Sequence, residues 1–365
     1  MLETLQLLAF LLISQIGFLH LKRFFETPTS EPKGEENPTI SIVIPARNEQ
    51  ERLGRLLATL AAQTIRPHEV IVVDDGSSDG TAELAKRFDC RVLATANKEW
   101  SGKSAACYAG AMAASGDYLL FLDADVYLAP DALAYIINCA GEAKVLSIQP
   151  YHCMERAYEQ FSLFFNLASF LGLGLGGRQR WHTKYGLFGP CVLIERKTYL
   201  RTGGHALVKD SLLEDMALGQ KLAAEQIPLF SLPHGKKIFF RMYGEGFRKL
   251  FDGWTKNMAL GAQKSSLADV MIVFSLITTA LALPLQLTQA VMTASLYRTL
   301  FLVVLYLLFS LELKTGAGRL GNFSWICALL FPIPAAFFVL VMLRSFAMKF
   351  LRIPINWRGR NVTIK

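Results

Sequence analysis

The sequence predicts an α/β domain with a mostly parallel sheet, tied to a membrane by an N-terminal anchor and by C-terminal transmembrane helices. Three observations carry that prediction. Short β-branched runs alternate with amphipathic stretches from residue 39 to 125, the rhythm of βαβ units. Apolar residues make up 52% of the 365 residues and gather in 5–19, 270–311 and 325–343. Polar clusters fall at the ends of successive strand-like runs, where sheets of this kind bind their ligands.

Taken in order, Leu5–Leu19 is apolar, has no basic residue before it and is followed by His20, Lys22 and Arg23. A cleaved signal peptide has the opposite order. Residues 1–25 therefore read as an uncleaved anchor whose C-terminal end faces the cytoplasm. At ~1.5 Å per residue the run just spans if flanking residues are drawn in. Residues 26–38, rich in Glu, Pro, Ser and Thr, read as a linker. Strands are expected over Thr39–Ile44 (ending at Pro45), Glu69–Val73, Arg91–Ala94 and Tyr118–Leu122, and helices over Glu49–Gln63, Thr81–Phe88 and Lys103–Ala114. The catalytic domain is expected to cover 39–265. Within it, 158–190 reads as an interfacial or acceptor segment, because Phe161–Gly177 carries no charge. If that stretch crossed a bilayer, Asp125 and Asp215 would lie on opposite sides; a buried helix is the other reading. Stretches near 270–287, 296–311 and 322–343 predict transmembrane helices within 266–345, followed by a basic tail over 346–365.

Net charge is +8, but many basic residues flank apolar stretches (Lys22, Arg23, Lys264, Arg344, Lys349, Arg352). That placement fits an anionic membrane leaflet and argues against a nucleic-acid partner. Six cysteines without a CxxC pair give neither a zinc site nor a disulfide framework and point to a reducing compartment.

Asp123-Ala124-Asp125 follows the apolar run Tyr118–Leu122. If the segment is extended, both carboxylates point to one side, suiting a divalent metal or a ribose plus a metal; a turn that caps the next helix is the bland alternative. Asp74–Thr81 also follows a strand and opens a helix, so its carboxylates can accept from a base N–H or ribose hydroxyls, or simply form a well-capped turn. Lys103 could place an ammonium on a diphosphate, although the Walker A spacing is absent. Glu214-Asp215 reads equally well as an acidic first helical turn.

Together, Val43–Glu49, Val72–Thr81, Gly102-Lys103, Asp123–Asp125 and Glu214-Asp215 resemble the family 2 glycosyltransferases of GT-A fold over roughly residues 39–260. The resemblance implies a UDP-sugar donor held by Pro45, Arg47, Glu49, Asp75, Lys103 and Asp123, and Mg²⁺ or Mn²⁺ held by Asp125. It also implies Asp215 as catalytic base, and Glu214, Trp254 and Lys256 as acceptor or diphosphate contacts. The QxxRW motif of processive members is missing; the corresponding stretch is Phe247–Asn257. This favours a single transfer over polymer synthesis, and the resemblance implies that the transfer inverts the anomeric carbon. The anchor, Gly253–Asn257 and Trp357-Arg358-Gly359-Arg360 resemble most the members acting on carotenoid carboxylic acids. They imply UDP-glucose and an apolar lipid acid; a polyprenyl phosphate or glycerolipid hydroxyl is the alternative acceptor. Sugar nucleotides are made in the cytoplasm, so a multi-pass cell-membrane protein with a cytoplasmic catalytic domain is expected. The basic tail belongs on that side too, which requires an even number of crossings after Asp269 and one re-entrant or interfacial stretch.

Overall fold

The β-branched runs between residues 40 and 122 become strands buried on both faces. Ile42, Val43, Ile44, Ile71, Val72 and Val73 are fully buried, which is why these strands read as continuous apolar runs rather than as an alternation. The computed structural model describes residues 2–26, 38–95, 100–140, 143–176, 182–183, 186–209, 211, 213–261, 265–351, 355–357 and 360–362. Most of the 26–38 linker, Trp181, Lys184 and Tyr185 of the expected acceptor segment, and most of the basic tail lie outside them. The chain forms two units. One comprises Phe25–Tyr151 and Trp181–Arg241; the other comprises Met1–Phe24, His152–Arg180 and Met242–Lys365.

In the first, the sheet unit, seven strands lie in the order β3-β2-β1-β4-β8-β6-β9. They are β1 (Ile40–Ala46), β2 (Glu69–Asp74), β3 (Arg91–Ala94), β4 (Tyr118–Leu122), β6 (Val145–Gln149), β8 (Cys191–Glu195) and β9 (Leu229–Pro233). Pairing is parallel except at β8, which runs antiparallel to β4 and β6. β1 continues through Pro45, which stands opposite Val73 in register. A smaller sheet has the order β5-β10-β7, formed by β5 (Val126–Leu128), β10 (Ile238–Phe240) and β7 (Tyr151–His152). The helices are α2 (Gln50–Ala61), α3 (Thr81–Lys86), α4 (Lys103–Ala113), α5 (Ala132–Ala140), α7 (Arg196–Thr202) and α8 (Glu214–Ala224). α2 shows why they pack: Leu53, Leu56, Leu57 and Leu60 recur at helical spacing and are the residues it buries.

The second, helical unit contains α1 (Leu2–Phe24), α6 (Leu163–Gly172), α9 (Phe247–Gly261), α10 (Leu267–Met292), α11 (Leu296–Ala317), α12 (Trp325–Leu329) and α13 (Pro332–Phe350). By length and composition α1, α10, α11 and α13 could each cross a membrane. α10 runs unbroken through Pro284. The charge-free stretch after Phe161 yields only the ten residues of α6, about 15 Å of helix and half of a ~30 Å hydrocarbon core. Leu163, Phe164, Phe165, Leu167 and Phe170 are all buried there, so α6 is a buried helix of this unit rather than a lipid-facing stripe. The chain ends in a two-stranded ribbon, β11 (Ile355–Trp357) against β12 (Arg360–Val362).

Candidate active site

The polar ends of β1, β2 and β4 converge because these strands are neighbours and parallel. Asp75 follows β2 directly and is buried, 6% exposed. One of its oxygens accepts from the Gly102 amide (3.1 Å) and the Thr95 hydroxyl (3.2 Å). The Arg47 guanidinium donates to the Asp75 carbonyl (3.1 Å) and lies 3.6 Å from its carboxylate. Arg47 Nε is buried with no hydrogen-bond partner among the described residues. Gly102 has φ +105°, a left-handed conformation that a Cβ would strain. That turn aims its amide at Asp75 and starts α4 with Lys103.

The turn after Asp75 is held by its own side chains. Ser77 N donates to Asp74 (3.1 Å), and Ser78 N to Asn48 Oδ1 (2.8 Å). Partial burial would raise the Asp79 carboxyl, but bonds from Thr81 and the Gln50 amide leave it below the usual carboxylate range. Of the expected donor contacts, Pro45 stays in β1 and Glu49 turns inward: it is 4% exposed and pairs with Arg52 at 3.1 Å. Its amide donates to the Thr81 hydroxyl oxygen (3.0 Å). Glu49 thus ties α2 to the β2–α3 turn.

Asp123 and Asp125 are not on an extended segment. A hydrogen bond from Val126 N to Asp123 O (3.1 Å) closes a tight turn between β4 and β5, because the chain reverses there to enter the small sheet. Lys103 reaches into this turn. Its ammonium lies 2.8 Å from Asp123, 2.7 Å from Asp215 and 3.6 Å from Glu214. Burial alone would push Lys103 toward neutrality, but the three carboxylates outweigh it and hold its pKa well above the usual lysine range. Glu214 and Asp215 open α8, where the helix dipole favours negative charge. Among the described residues no three or more His, Cys, Asp or Glu side chains form a metal cage.

Two features of this site were absent from the sequence reading. A Cβ at Gly189 would collide with the Asp215 carboxylate, so the loop before β8 sets where Asp215 can stand, and only glycine leaves that space. His205 is 1% exposed; its Nδ1 lies 2.8 Å from the Tyr199 hydroxyl and its ring edges onto Phe121 at 4.9 Å. Burial pushes its pKa to about 3, and the Lys103 charge pushes the same way. A lone histidine gives no sequence signal for such burial. The clash at Gly189 has one weak signal, the glycine before Pro190.

Trp254 and Lys256 lie on α9 in the helical unit. Trp254 is buried, stacks on Phe165 (4.7 Å between centroids) and donates from Nε1 to Ser162 Oγ (3.1 Å).

Known proteins resemble this chain in sequence and in fold. The profile of Glycosyl transferase family 2 matches residues 41–211. The 4,4'-diaponeurosporenoate glycosyltransferase of Staphylococcus aureus (strain USA300) is 34% identical over 341 residues, 89% of this chain and 88% of that protein. A solved mannosyltransferase of Pyrobaculum calidifontis, in complex with GDP-Man and Mn²⁺, superposes with a TM-score of 0.57 at 19% identity, covering 95% of this chain and 99% of that one. At that identity and coverage the chain belongs to glycosyltransferase family 2 and is a glycosyltransferase of GT-A fold.

Proposed function

We propose that the protein transfers glucose from UDP-glucose to the carboxylate of an apolar, membrane-embedded polyene acid, inverting the anomeric carbon and releasing UDP. The observation that carries the reading is the convergence of Lys103, Asp123, Glu214 and Asp215 next to the Asp75–Arg47 pair. The relative active on diaponeurosporenoate, a carboxylic acid, supports the acceptor class.

Asp75 and the amide-rich turn after it suit a base and ribose, while Arg47 and Lys103 bring two cations to the diphosphate. Mg²⁺ or Mn²⁺ fits Asp125 with Asp123, a sparse carboxylate set of the kind that phosphate oxygens complete; bound there, it would neutralise charge on the departing diphosphate. The acceptor oxygen attacks C1 from the face opposite the diphosphate. The new C1–O bond forms as the C1–OPO₃ bond breaks, and the bonding electrons leave with UDP. Lys103, held charged by its carboxylates, is placed to stabilise those electrons. A carboxylate acceptor, with a pKa near ~4–5, has no proton to lose at neutral pH. Asp215 then orients sugar or acceptor, whereas a hydroxyl acceptor would need it as general base. The membrane reading goes with this: the sheet unit faces the cytoplasm, where sugar nucleotides are made, and Lys22 and Arg23 end α1 on that side.

The test is chemical. Membranes containing the protein are incubated with labelled UDP-glucose and an apolar polyene acid, and the lipid extract is treated with mild alkali. Labelled lipid that loses its sugar to alkali is an ester and supports the proposal. Alkali-stable labelled lipid means a hydroxyl acceptor, and insoluble label means polymer; either refutes the carboxylate assignment.

A further inference from the structure

We propose that α12 and α13 form a re-entrant hairpin embedded in only one leaflet, the one facing the sheet unit. The chain would then cross the membrane three times, through α1, α10 and α11, and its C-terminal tail would lie on the sheet unit's side. The inference rests on the membrane reading above and not on the identity of donor or acceptor.

Depth is read off α1, whose C-terminal end leads straight into the sheet unit at Phe25. At its far end, Gln286 donates to Glu3 O (2.9 Å) and Arg298 lies 3.9 Å from the Glu3 carboxylate. The turn between α10 and α11 is therefore on the distant face. At its near end, Phe18 fills the space beside Gly316, so α11 finishes on the sheet unit's face.

The chain then stays there. His152, which follows the sheet unit's last residue before the helical insertion, bridges to Gly321. Asn322 exchanges two hydrogen bonds with Met154, accepting from its amide (2.6 Å) and donating to its carbonyl (2.8 Å). Residues 320–324 are thereby fastened to the segment that leaves the sheet.

From that level α12 descends only partway. The Tyr306 hydroxyl donates to Leu329 O (2.6 Å), and the Phe331 ring lies 4.5 Å from that of Tyr306. Tyr306 is the midpoint of the 22-residue α11 and stands about 12 Å from the level of Lys314, at ~1.5 Å per residue. Lys314 marks that level by donating to Phe323 O. The reversal thus happens near half of a ~30 Å core. α13 then climbs back: Phe338 packs on Phe165 of α6 (4.8 Å), and Arg344 pairs with Asp252 of α9 (2.7 Å). α9 begins six residues after the sheet unit ends at Arg241, so this end too is on the sheet unit's face.

The turn is built for an apolar depth. Pro332 and Pro334 carry no N–H to leave unmatched, and Leu330, Ile333 and Ala335 donate to Ile326, Leu330 and Phe331 carbonyls at 2.8–3.0 Å. Its outward residues are apolar: Trp325, Ile326, Leu330 and Ile333 are each about half exposed or more (53%, 71%, 49% and 53%). The acyl chains of that one leaflet are the partner that fits them.

The test uses the full-length protein in intact cells and an impermeant maleimide. All six native cysteines are assigned to the sheet unit's face, so the unsubstituted chain should react only after permeabilisation. Thr293→Cys, in the α10–α11 turn, should react in intact cells; Lys365→Cys should react only after permeabilisation. Ser295→Cys and Thr363→Cys repeat the comparison should either first variant fail to accumulate. Reaction at 293 and 365 from the same face means α13 crosses, and overturns the proposal. Reaction of 365 but not 293 in intact cells keeps the hairpin and refutes the cytoplasmic sheet unit instead.

Discussion

In the sheet unit three carboxylates converge on one ammonium, and the four side chains remain 16–28% exposed. In the helical unit polar groups meet single groups of the chain instead: Gln15 Nε2 with Glu312 (2.7 Å), Tyr306 with the Leu329 carbonyl (2.6 Å), Asn166 with the Ser162 carbonyl and His152 Nδ1 (3.0 Å each), while the Ser275 and Thr279 hydroxyls are buried with no hydrogen-bond partner among the described residues. Water and a ligand complete the first kind of arrangement. Lipid offers no hydrogen bonds, so a polar group in the second has only the chain itself to turn to. The contrast separates residues arranged for a reaction from residues arranged to satisfy themselves.

The largest effect that would break this contrast is expected at Asp125. Asp125→Ala should cut transfer by about 10³-fold or more, because several kcal/mol of charge stabilisation at the diphosphate go with it, while the thermal unfolding midpoint barely moves. Full activity in this variant, or in metal-free buffer, would sink the metal assignment. Next comes Asp215→Asn, compared on two acceptors. On a hydroxyl the loss of a general base should cost about 10²–10⁴-fold; on a carboxylate the cost should be much smaller. A near-total loss on a carboxylate would show that Asp215 does more than orient.

Gly189→Ala should lower the turnover number about tenfold with little change in KM for the donor, since the new methyl displaces Asp215 and leaves Arg47 and Asp75 alone. Unchanged turnover would mean that the position of Asp215 is not critical. The fourth prediction treats the two units alike. His205 in the sheet unit and His152 in the helical unit are buried and neutral, their pKa values pushed by burial to about 3 and about 4. The unfolded chain takes up protons below ~6.5 that the folded chain refuses. Stability is therefore complete above that pH and falls as pH drops, by up to ~1.4 kcal/mol per unit for each histidine. A melting temperature that stays flat between pH 7.5 and 5 would contradict it. The smallest effect belongs to Arg344→Gln, which loses a partly exposed pair with Asp252. It should cost at most ~1 kcal/mol and leave transfer within about twofold; a large loss of transfer would bring α13 into the reaction.

How far the sequence could be read follows from the range of each interaction. β1, β2 and β4 were legible because strand periodicity is local, and the positions of Asp75 and Asp123 because each directly follows one of those strands. At Asp123–Asp125 an extended segment and a turn stayed open, since only the pairing of β5 with β10, more than a hundred residues later, forces the reversal. Hydropathy showed one apolar stretch over 322–343. It is blind to the change of direction at Leu330, because the residues on both sides are equally apolar. The stacking of Trp254 on Phe165 was not legible, because that partner lies far back in the chain. Gly189 escaped notice because a missing side chain has meaning only beside the group that fills its space.

The contacts of α1 set an order of events during synthesis. Phe10 meets Phe274 (5.9 Å) and Gln15 meets Glu312, 297 residues further on. At ~5–20 residues per second, α1 waits some tens of seconds in the bilayer before those partners emerge. Ser14 is provided for meanwhile, since its hydroxyl donates to Leu11 O within the same helix (2.7 Å). Gln15 is not, and its amide is left to water, headgroups or an insertion factor until α11 arrives. The helical unit is thus completed after the sheet unit, although α1 is made before it.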